Sequence, residues 1–201
     1  MATLDPGLIV RACVLLRAGG VVAYPTDTFY GLAADPRNPG AVARLFAIKG
    51  RAAGQAIPLI AADLAQATGA AEFDDCSLRL ARAFWPGPLS LILPASSAVC
   101  KDAKATDGTV AVRVPASDAA RAIARAFGFC ITATSANLSG EAAPTSAASA
   151  SSALGGVVDL VLDGGDTPGG EPSTLVDARE EIPRLVRAGA IAWDRVLRST
   201  E

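Results

Sequence analysis

The sequence predicts an α/β fold: a single domain over residues 1–201, with a twisted sheet of mixed parallel and antiparallel strands and helices packed on it. Three observations carry that expectation. Short apolar runs with strand character alternate irregularly with segments of helical apolar spacing. Two helix starts are marked by a cap residue followed by proline, at Asp5-Pro6 and Asn38-Pro39. The chain has 201 residues, enough for one domain with a sizeable core and short for two.

The elements follow in order. After Asp5-Pro6, the apolar residues Leu8, Ile9, Ala12, Leu15 and Leu16 form a helical stripe that Gly19-Gly20 ends. Val21 to Tyr24 reads as a buried strand, and Gly31 to Ala34 as another. The helix opened by Asn38-Pro39 carries Val42, Leu45, Phe46 and Lys49 on one face, which places Lys49 and Arg51 at its C-terminal end. Pro58 to Ala61 is a short strand and Ser77 to Phe84 a helix. Trp85-Pro86-Gly87-Pro88 must turn, because two prolines and a glycine forbid regular structure. Leu89 to Leu93 and Val110 to Val114 are strands, Asp118 to Phe127 a helix, Cys130 to Thr132 a strand and Thr134 to Gly140 a polar turn. The Ala/Ser-rich stretch from Thr145 to Gly156 has a linker's composition, but alanine's helix propensity favours a small-residue helix against the sheet. Leu160 to Leu162, Ser173 to Val176 and Arg184 to Val186 are short strands, and Ile191 to Leu197 a helix.

Composition narrows the chemistry. The chain contains no histidine, which excludes Ser-His-Asp and Cys-His catalysis and any histidine-ligated zinc. Lys, Arg, Asp, hydroxyls and backbone N–H groups are left to do the work. The net charge of −2 argues against a broad basic surface gripping nucleic acid, though not against a local basic groove. Cys13, Cys76, Cys100 and Cys130 are widely spaced and read as small core residues in a reducing compartment. No apolar run reaches the roughly 18–20 residues of a membrane span, and Met1 to Pro6 has no basic leader region, so the expected location is cytoplasmic.

Several segments have both a functional and a structural reading. In Thr26-Asp27-Thr28, which follows an apolar strand, the hydroxyls either hold a small polar ligand or only make a turn. Lys49 and Arg51 are anion ligands, or charges favoured at a helix C-terminus. Alternation along the strand puts Ala111 and Arg113 on one face and Val112 and Val114 on the other. A sheet-interior arginine needs a carboxylate or phosphate partner, supplied by a ligand or by an Asp or Glu of the chain. Arg187 poses the same question. Ser135-Ala136-Asn137 is a cap, or a hydroxyl and amide aimed at a nucleotide beside an anion nest. Gly164 to Gly170 lacks phosphate-loop spacing and reads either as a plain surface loop or as a lid.

Taken together, Tyr24-Pro25-Thr26-Asp27-Thr28-Phe29-Tyr30-Gly31-Leu32, Lys49-Gly50-Arg51, Phe84 to Leu89, Val112-Arg113-Val114-Pro115, Ser135 to Gly140, Pro172-Ser173-Thr174 and Arg187-Ala188-Gly189 resemble the YrdC-like family. They stand in the family's order from about residue 8 to 190, and the ordered set is far more specific than any one motif. The match is to the short, single-domain threonylcarbamoyl-AMP synthases. The resemblance implies that L-threonine and bicarbonate give a carbamate that attacks the α-phosphorus of ATP, yielding threonylcarbamoyl-AMP and pyrophosphate. It implies Mg2+ accompanying ATP, a downstream threonylcarbamoyl transferase complex that modifies tRNA, and a weak tRNA contact. By position it assigns Thr28, Arg113, Ser173 and the Ala133 backbone to threonine. It assigns Lys49, Arg51, Thr109, Ser135, Asn137, Arg187 and the Ala143 backbone to ATP, with Lys49, Arg51 and Arg113 central to the chemistry. Such a reaction needs positioning and charge neutralisation, which a histidine-free chain can supply. Two places depart from the family pattern: Ala52 stands where many members carry proline, and Ile60-Ala61-Ala62 where many carry a threonine-contacting histidine. Two other readings compete: a non-catalytic RNA-binding module, which the acidic pI of about 5.2 disfavours, and a carbamoyl-adenylate-forming relative using carbamoyl phosphate.

Overall fold

The computed structural model describes residues 4–50, 56–154 and 156–200. Its helices begin where side chains can satisfy the unpaired N–H groups of a first turn. Helix α1, Pro6–Arg17, starts with the Asp5 carboxylate accepting from the N–H groups of Gly7 and Leu8 at 2.7 and 3.2 Å. Helix α2, Pro39–Lys49, starts in the same way from Asn38 and ends at Gly50, whose φ of 60° is the left-handed stop that glycine adopts freely. Helix α4, Asp75–Phe84, opens with a reciprocal capping box between Asp74 and Ser77. Helix α5, Asp118–Phe127, has the bounds read from the sequence and buries one face, Ala119, Ala120, Ile123, Ala124 and Phe127. The small-residue segment is helical as α6, Ala147–Leu154, and the C-terminal helix α7 spans Trp193–Arg198. The short helix α3, Leu64–Ala67, has no counterpart in the sequence reading.

The strands are β1 (Val22–Pro25), β2 (Tyr30–Ala33), β3 (Leu59–Ile60), β4 (Leu89–Pro94), β5 (Thr109–Arg113), β6 (Ile131–Thr132), β7 (Thr134–Ser135), β8 (Leu160–Val161), β9 (Thr174–Asp177) and β10 (Arg184–Arg187). They form two mixed sheets rather than the one expected. One has the order β7-β2-β1-β8 and the other β10-β9-β4-β5-β3-β6. The division has a local cause. Strands β6 and β7 are separated only by Ala133, where the chain crosses from the edge of the larger sheet to the edge of the smaller. The Ala133 N–H donates to the Pro58 carbonyl at 2.8 Å. Just before the crossing, the Thr132 hydroxyl accepts from the Ala34 N–H and donates to the Leu32 carbonyl, which ties the two sheets together.

Strand β1 and the residue before it show why the run from Val21 to Tyr24 is apolar throughout. Val21 and Ala23 join one core cluster with Leu59, Leu91, Val112 and Val176, whereas Val22 and Tyr24 join a second with Ile60, Ile131 and the inner faces of α1 and α5. Both faces of this strand are covered, so neither can be polar. Cys13, Cys76 and Cys130 are buried and Cys100 half-buried, all with free thiols. No helix among the described residues is long and apolar enough to cross a membrane.

Candidate functional site

Residues Thr26 to Phe29 form the tip of the β1–β2 hairpin. The Thr26 hydroxyl donates to the Phe29 carbonyl at 2.7 Å, and the Thr28 N–H donates to the Thr26 hydroxyl at 3.1 Å. Thr26 therefore shapes the turn, while the half-buried Thr28 faces a cleft. Two adjoining hollows of about 100 and about 210 Å3 make up that cleft and share Thr28, Phe29, Ile60, Arg113 and Ala133. Thr28 comes from the smaller sheet and Arg113 from the larger. Ala133, the crossing residue, lies where the two meet.

Arg113 occupies the face of β5 that the alternation predicted: Ala111 and Arg113 line the cleft, and Val110, Val112 and Val114 are in the core. Its partner within the chain is Asp27. The guanidinium donates through Nη1 to Oδ2 at 3.1 Å and through Nη2 to Oδ1 at 3.0 Å, with 11% and 15% of the two side chains exposed. The same carboxylate accepts from the Ala116 N–H. The structural reading of Arg113 is thus realised, and it does not displace the functional one. Asp27 uses two of the five guanidinium N–H donors, and the group still lines the cleft. Burial raises the pKa of the neighbouring Tyr24 phenol, with Arg113 opposing and Asp27 adding to the shift. Its hydroxyl donates to the Thr132 carbonyl.

A second node lies beside the first. Lys49 is not a solvated charge at a helix end: it is 2% exposed, and its Nζ donates to the Ser135 carbonyl at 2.5 Å, Asn137 Oδ1 at 3.0 Å and Ser135 Oγ at 3.3 Å. The Asn137 amide in turn donates to the Glu141 carbonyl, and the Ser139 N–H donates to the Lys49 carbonyl. The polar turn after β7 thereby closes the end of α2. Ser135 also lines the smaller hollow, so this node adjoins the Thr28 and Arg113 end. Ala143 is half-buried next to Pro144, whose carbonyl accepts the Tyr30 N–H. Arg51 and Ala52 lie outside the described residues.

Ser173 and Arg187 form the far wall. The Ser173 hydroxyl is 2.8 Å from that of Ser90, and Arg187 Nη2 donates to the Ser173 carbonyl at 2.8 Å and reaches its hydroxyl at 3.4 Å. A β-bulge orients Arg187. Leu185 pairs with Val176, but the next pair is Arg187 with Leu175, so Val186 is the extra residue and Arg187 shares the face of the cleft-lining Leu175. Close packing adds a constraint: a Cβ on Gly189 would stand 2.2 Å from the Pro172 carbonyl oxygen and 2.6 Å from the Ser173 carbonyl carbon. Only glycine fits there.

Thr109 stands apart. It lies four residues before Arg113 on β5, roughly 13 Å along the strand, and its hydroxyl donates to Asp107 at 2.7 Å. None of Gly164 to Gly170 lines either hollow of the cleft. The loop is fastened to the hairpin: the Gly169 N–H donates to the Thr28 carbonyl, the Tyr30 hydroxyl to the Gly165 carbonyl, and Thr167 to the Thr145 carbonyl. Ser90 is the site neighbour that sequence reasoning did not single out, and for Asp27, named within Thr26-Asp27-Thr28, the sequence does not show the pairing with Arg113. The signal for Ser90 is a polar residue within the otherwise apolar Leu89 to Leu93 strand. Larger hollows of about 380 and about 600 Å3 lie at α1 and α5 and along α2 and α6. Neither gathers the hydroxyls and cations of the cleft.

The family model Sua5_yciO_yrdC, described as telomere recombination, matches residues 14–189. The chain belongs to the Sua5/YciO/YrdC family. A Bacillus subtilis member named threonylcarbamoyl-AMP synthase is 38% identical over 200 residues, covering 98% of this chain and 57% of that protein. One of the same name from Halorhodospira halophila is 41% identical over 160 residues, covering 79% of this chain and 84% of that protein. The crystal structure of Pyrococcus abyssi Sua5 complexed with L-threonine superposes with a TM-score of 0.91 at 36% identity, covering 97% of this chain and 58% of that one. This chain thus spans somewhat over half the length of the Bacillus relative and of the Pyrococcus Sua5 chain, and most of the Halorhodospira one. In this Sua5/YciO/YrdC member, motif residues from the hairpin tip, the end of β5, the β6–β7 crossing and residues 172–173 and 187 line the cleft, and Lys49 at the end of α2 bonds to the cleft-lining Ser135; Phe84 to Leu89 lines neither hollow.

Proposed function

We propose that this chain is an L-threonylcarbamoyladenylate synthase, a nucleotidyltransferase forming threonylcarbamoyl-AMP and pyrophosphate from L-threonine, bicarbonate and ATP. The observation that carries the reading is the convergence in one cleft of Thr28, Arg113 and Ser173, drawn from both sheets, beside the buried Lys49–Ser135–Asn137 node. The names of the relatives support it. The Thr28 and Ser173 hydroxyls and the Ala133 backbone bind threonine, and Arg113 holds its carboxylate on the guanidinium edge that Asp27 leaves open. Lys49, Arg51, Ser135, Asn137, Arg187, Thr109 and the Ala143 backbone bind ATP. Thr109 then takes the end of the nucleotide farthest from the amino acid.

Threonine's amine adds to bicarbonate with loss of water to give the carbamate. A carbamate oxygen attacks the α-phosphorus, the bond to the β,γ-pyrophosphate breaks, and pyrophosphate leaves. No protein nucleophile is needed. The protein aligns two anions that would otherwise repel and neutralises charge as it builds on phosphate. Mg2+ belongs to the nucleotide substrate, which carries it on its phosphates. Among the described residues no carboxylate or cysteine cluster competes for it. Downstream, a threonylcarbamoyl transferase complex passes the group to tRNA, with at most a weak tRNA contact by this chain. The free thiols fit the reducing cytoplasm. Residues 1–201 act as one domain, because strands of the two sheets are interleaved along the chain.

The test is incubation with ATP, bicarbonate and radiolabelled L-threonine. Pyrophosphate release and labelled threonylcarbamoyl-AMP must both depend on threonine. Release that ignores threonine, or requires carbamoyl phosphate instead, refutes the proposal.

A further inference from the structure

We propose that Ser90 is a positioning residue for amino-acid binding, fixing the Ser173 hydroxyl as a hydrogen-bond donor into the cleft. The inference rests on the threonine-binding reading above. Strand β4 points Leu89, Leu91 and Leu93 into the core, so Ser90 lies on the opposite face. That face belongs to the cleft, which Ser90 lines while only 7% exposed. Register fixes its neighbours. Leu91 pairs with Val112 across β4 and β5, and one step further Ser90 stands level with Arg113. On the other side Ser90 pairs with Leu175 of β9, two residues after Ser173. Ser90 thus sits on the strand between the arginine and the hydroxyl assigned to the substrate.

The hydrogen-bond inventory then gives Ser90 a task. A serine hydroxyl has one donor and two acceptor sites. Arg187 Nη2 can only donate, so its approach to Ser173 Oγ at 3.4 Å uses one acceptor site. The two hydroxyls stand 2.8 Å apart and either can donate; in the proposed arrangement Ser90 donates, taking the other acceptor site of Ser173. The Ser173 proton is then left to point at an acceptor in the cleft, and an amino-acid carboxylate or carbamate oxygen is such an acceptor. Without Ser90, the Ser173 hydroxyl rotates freely among its remaining options, and the ligand bears the cost of ordering it.

The experiment compares wild type, Ser90→Ala and Ser90→Thr by calorimetric titration with L-threonine and by steady-state kinetics with both substrates. Ser90→Ala is expected to weaken L-threonine binding and raise its KM by about three- to tenfold, the worth of one hydrogen bond. KM for ATP holds, and Ser90→Thr, which keeps the hydroxyl, restores threonine affinity. A folded Ser90→Ala protein that binds threonine as wild type does, or loses ATP and threonine affinity in parallel, overturns the inference. So does failure of Ser90→Thr to recover binding while its melting temperature matches wild type. A wild-type protein that binds no L-threonine overturns the proposed function and this inference with it; the other outcomes overturn the inference alone.

Discussion

Asp27→Ala removes one partner of the ion pair that holds Arg113. The two contacts are 3.1 and 3.0 Å, and both side chains are largely withdrawn from water. Opposite charges about 4 Å apart at an effective dielectric of about 20 attract by about 4 kcal/mol. Removing one member of a buried pair costs about 3–5 kcal/mol, because the other is left uncompensated. The residual 11% and 15% exposure lets water reach the orphaned guanidinium, so the lower end, about 3 kcal/mol, is the expected loss. In a chain of this size that lowers Tm by roughly 6–12 °C. The assay is a double-mutant cycle of Asp27→Ala and Arg113→Ala by urea denaturation. The double variant should lose much less than the sum of the singles, with a coupling of about 2–3 kcal/mol. A coupling below about 0.5 kcal/mol, the level of an exposed surface pair, would refute the reasoning. The double variant should also be folded yet fail to bind L-threonine, which separates the structural role of Arg113 from its proposed substrate role.

Three further outcomes follow from the geometry. Gly189→Ala forces the segment after β10 away from Pro172 and Ser173, so it should destabilise by about 1–3 kcal/mol and weaken binding at Ser173; an unchanged urea midpoint would contradict the close approach. Of the four thiols, Cys100 alone should react with a disulfide reagent in native protein at pH 8. Cys13, Cys76 and Cys130 are buried, and burial pushes the Cys130 thiol up to about 12; four equivalents of fast reaction would be inconsistent with that packing. The Asp177 carboxyl is held below its ordinary range by its hydrogen bonds with Arg179, so its contribution to stability is fully present above about pH 4 and is lost as pH falls through the lowered value. Asp177→Asn should therefore flatten the acid limb of the stability profile and leave its slope near neutrality unchanged, as read by urea midpoints across pH.

Much of this architecture is legible in the sequence because it is locally encoded. The Asp5-Pro6 and Asn38-Pro39 signals mark the starts of α1 and α2, and α5 has the bounds read for it, Asp118–Phe127. Two-residue alternation puts Arg113 on the cleft face. What the sequence conceals is non-local. Nothing near Arg113 announces that its partner is Asp27, on a turn far earlier in the chain. The division into two sheets depends on one ordinary alanine, and the sequence leaves Lys49 either a helix-end charge or an anion ligand without showing that the turn after β7 folds over it. Helix α3 is too short for periodicity to show.

The bulge that aims Arg187 and the hairpin tip that carries Thr28 lie near opposite ends of the chain, yet they face the same cleft. The site therefore has no early, self-sufficient half. While the chain emerges from the ribosome, the Thr28 hairpin and Arg113 can be in place, but the wall bearing Ser173 and Arg187 is still missing. Substrate can reward only the finished topology. On the proposed function, a nascent or C-terminally truncated chain lacks half of the binding surface, whereas ligand drawn into the completed cleft bolts the first-made strands to the last.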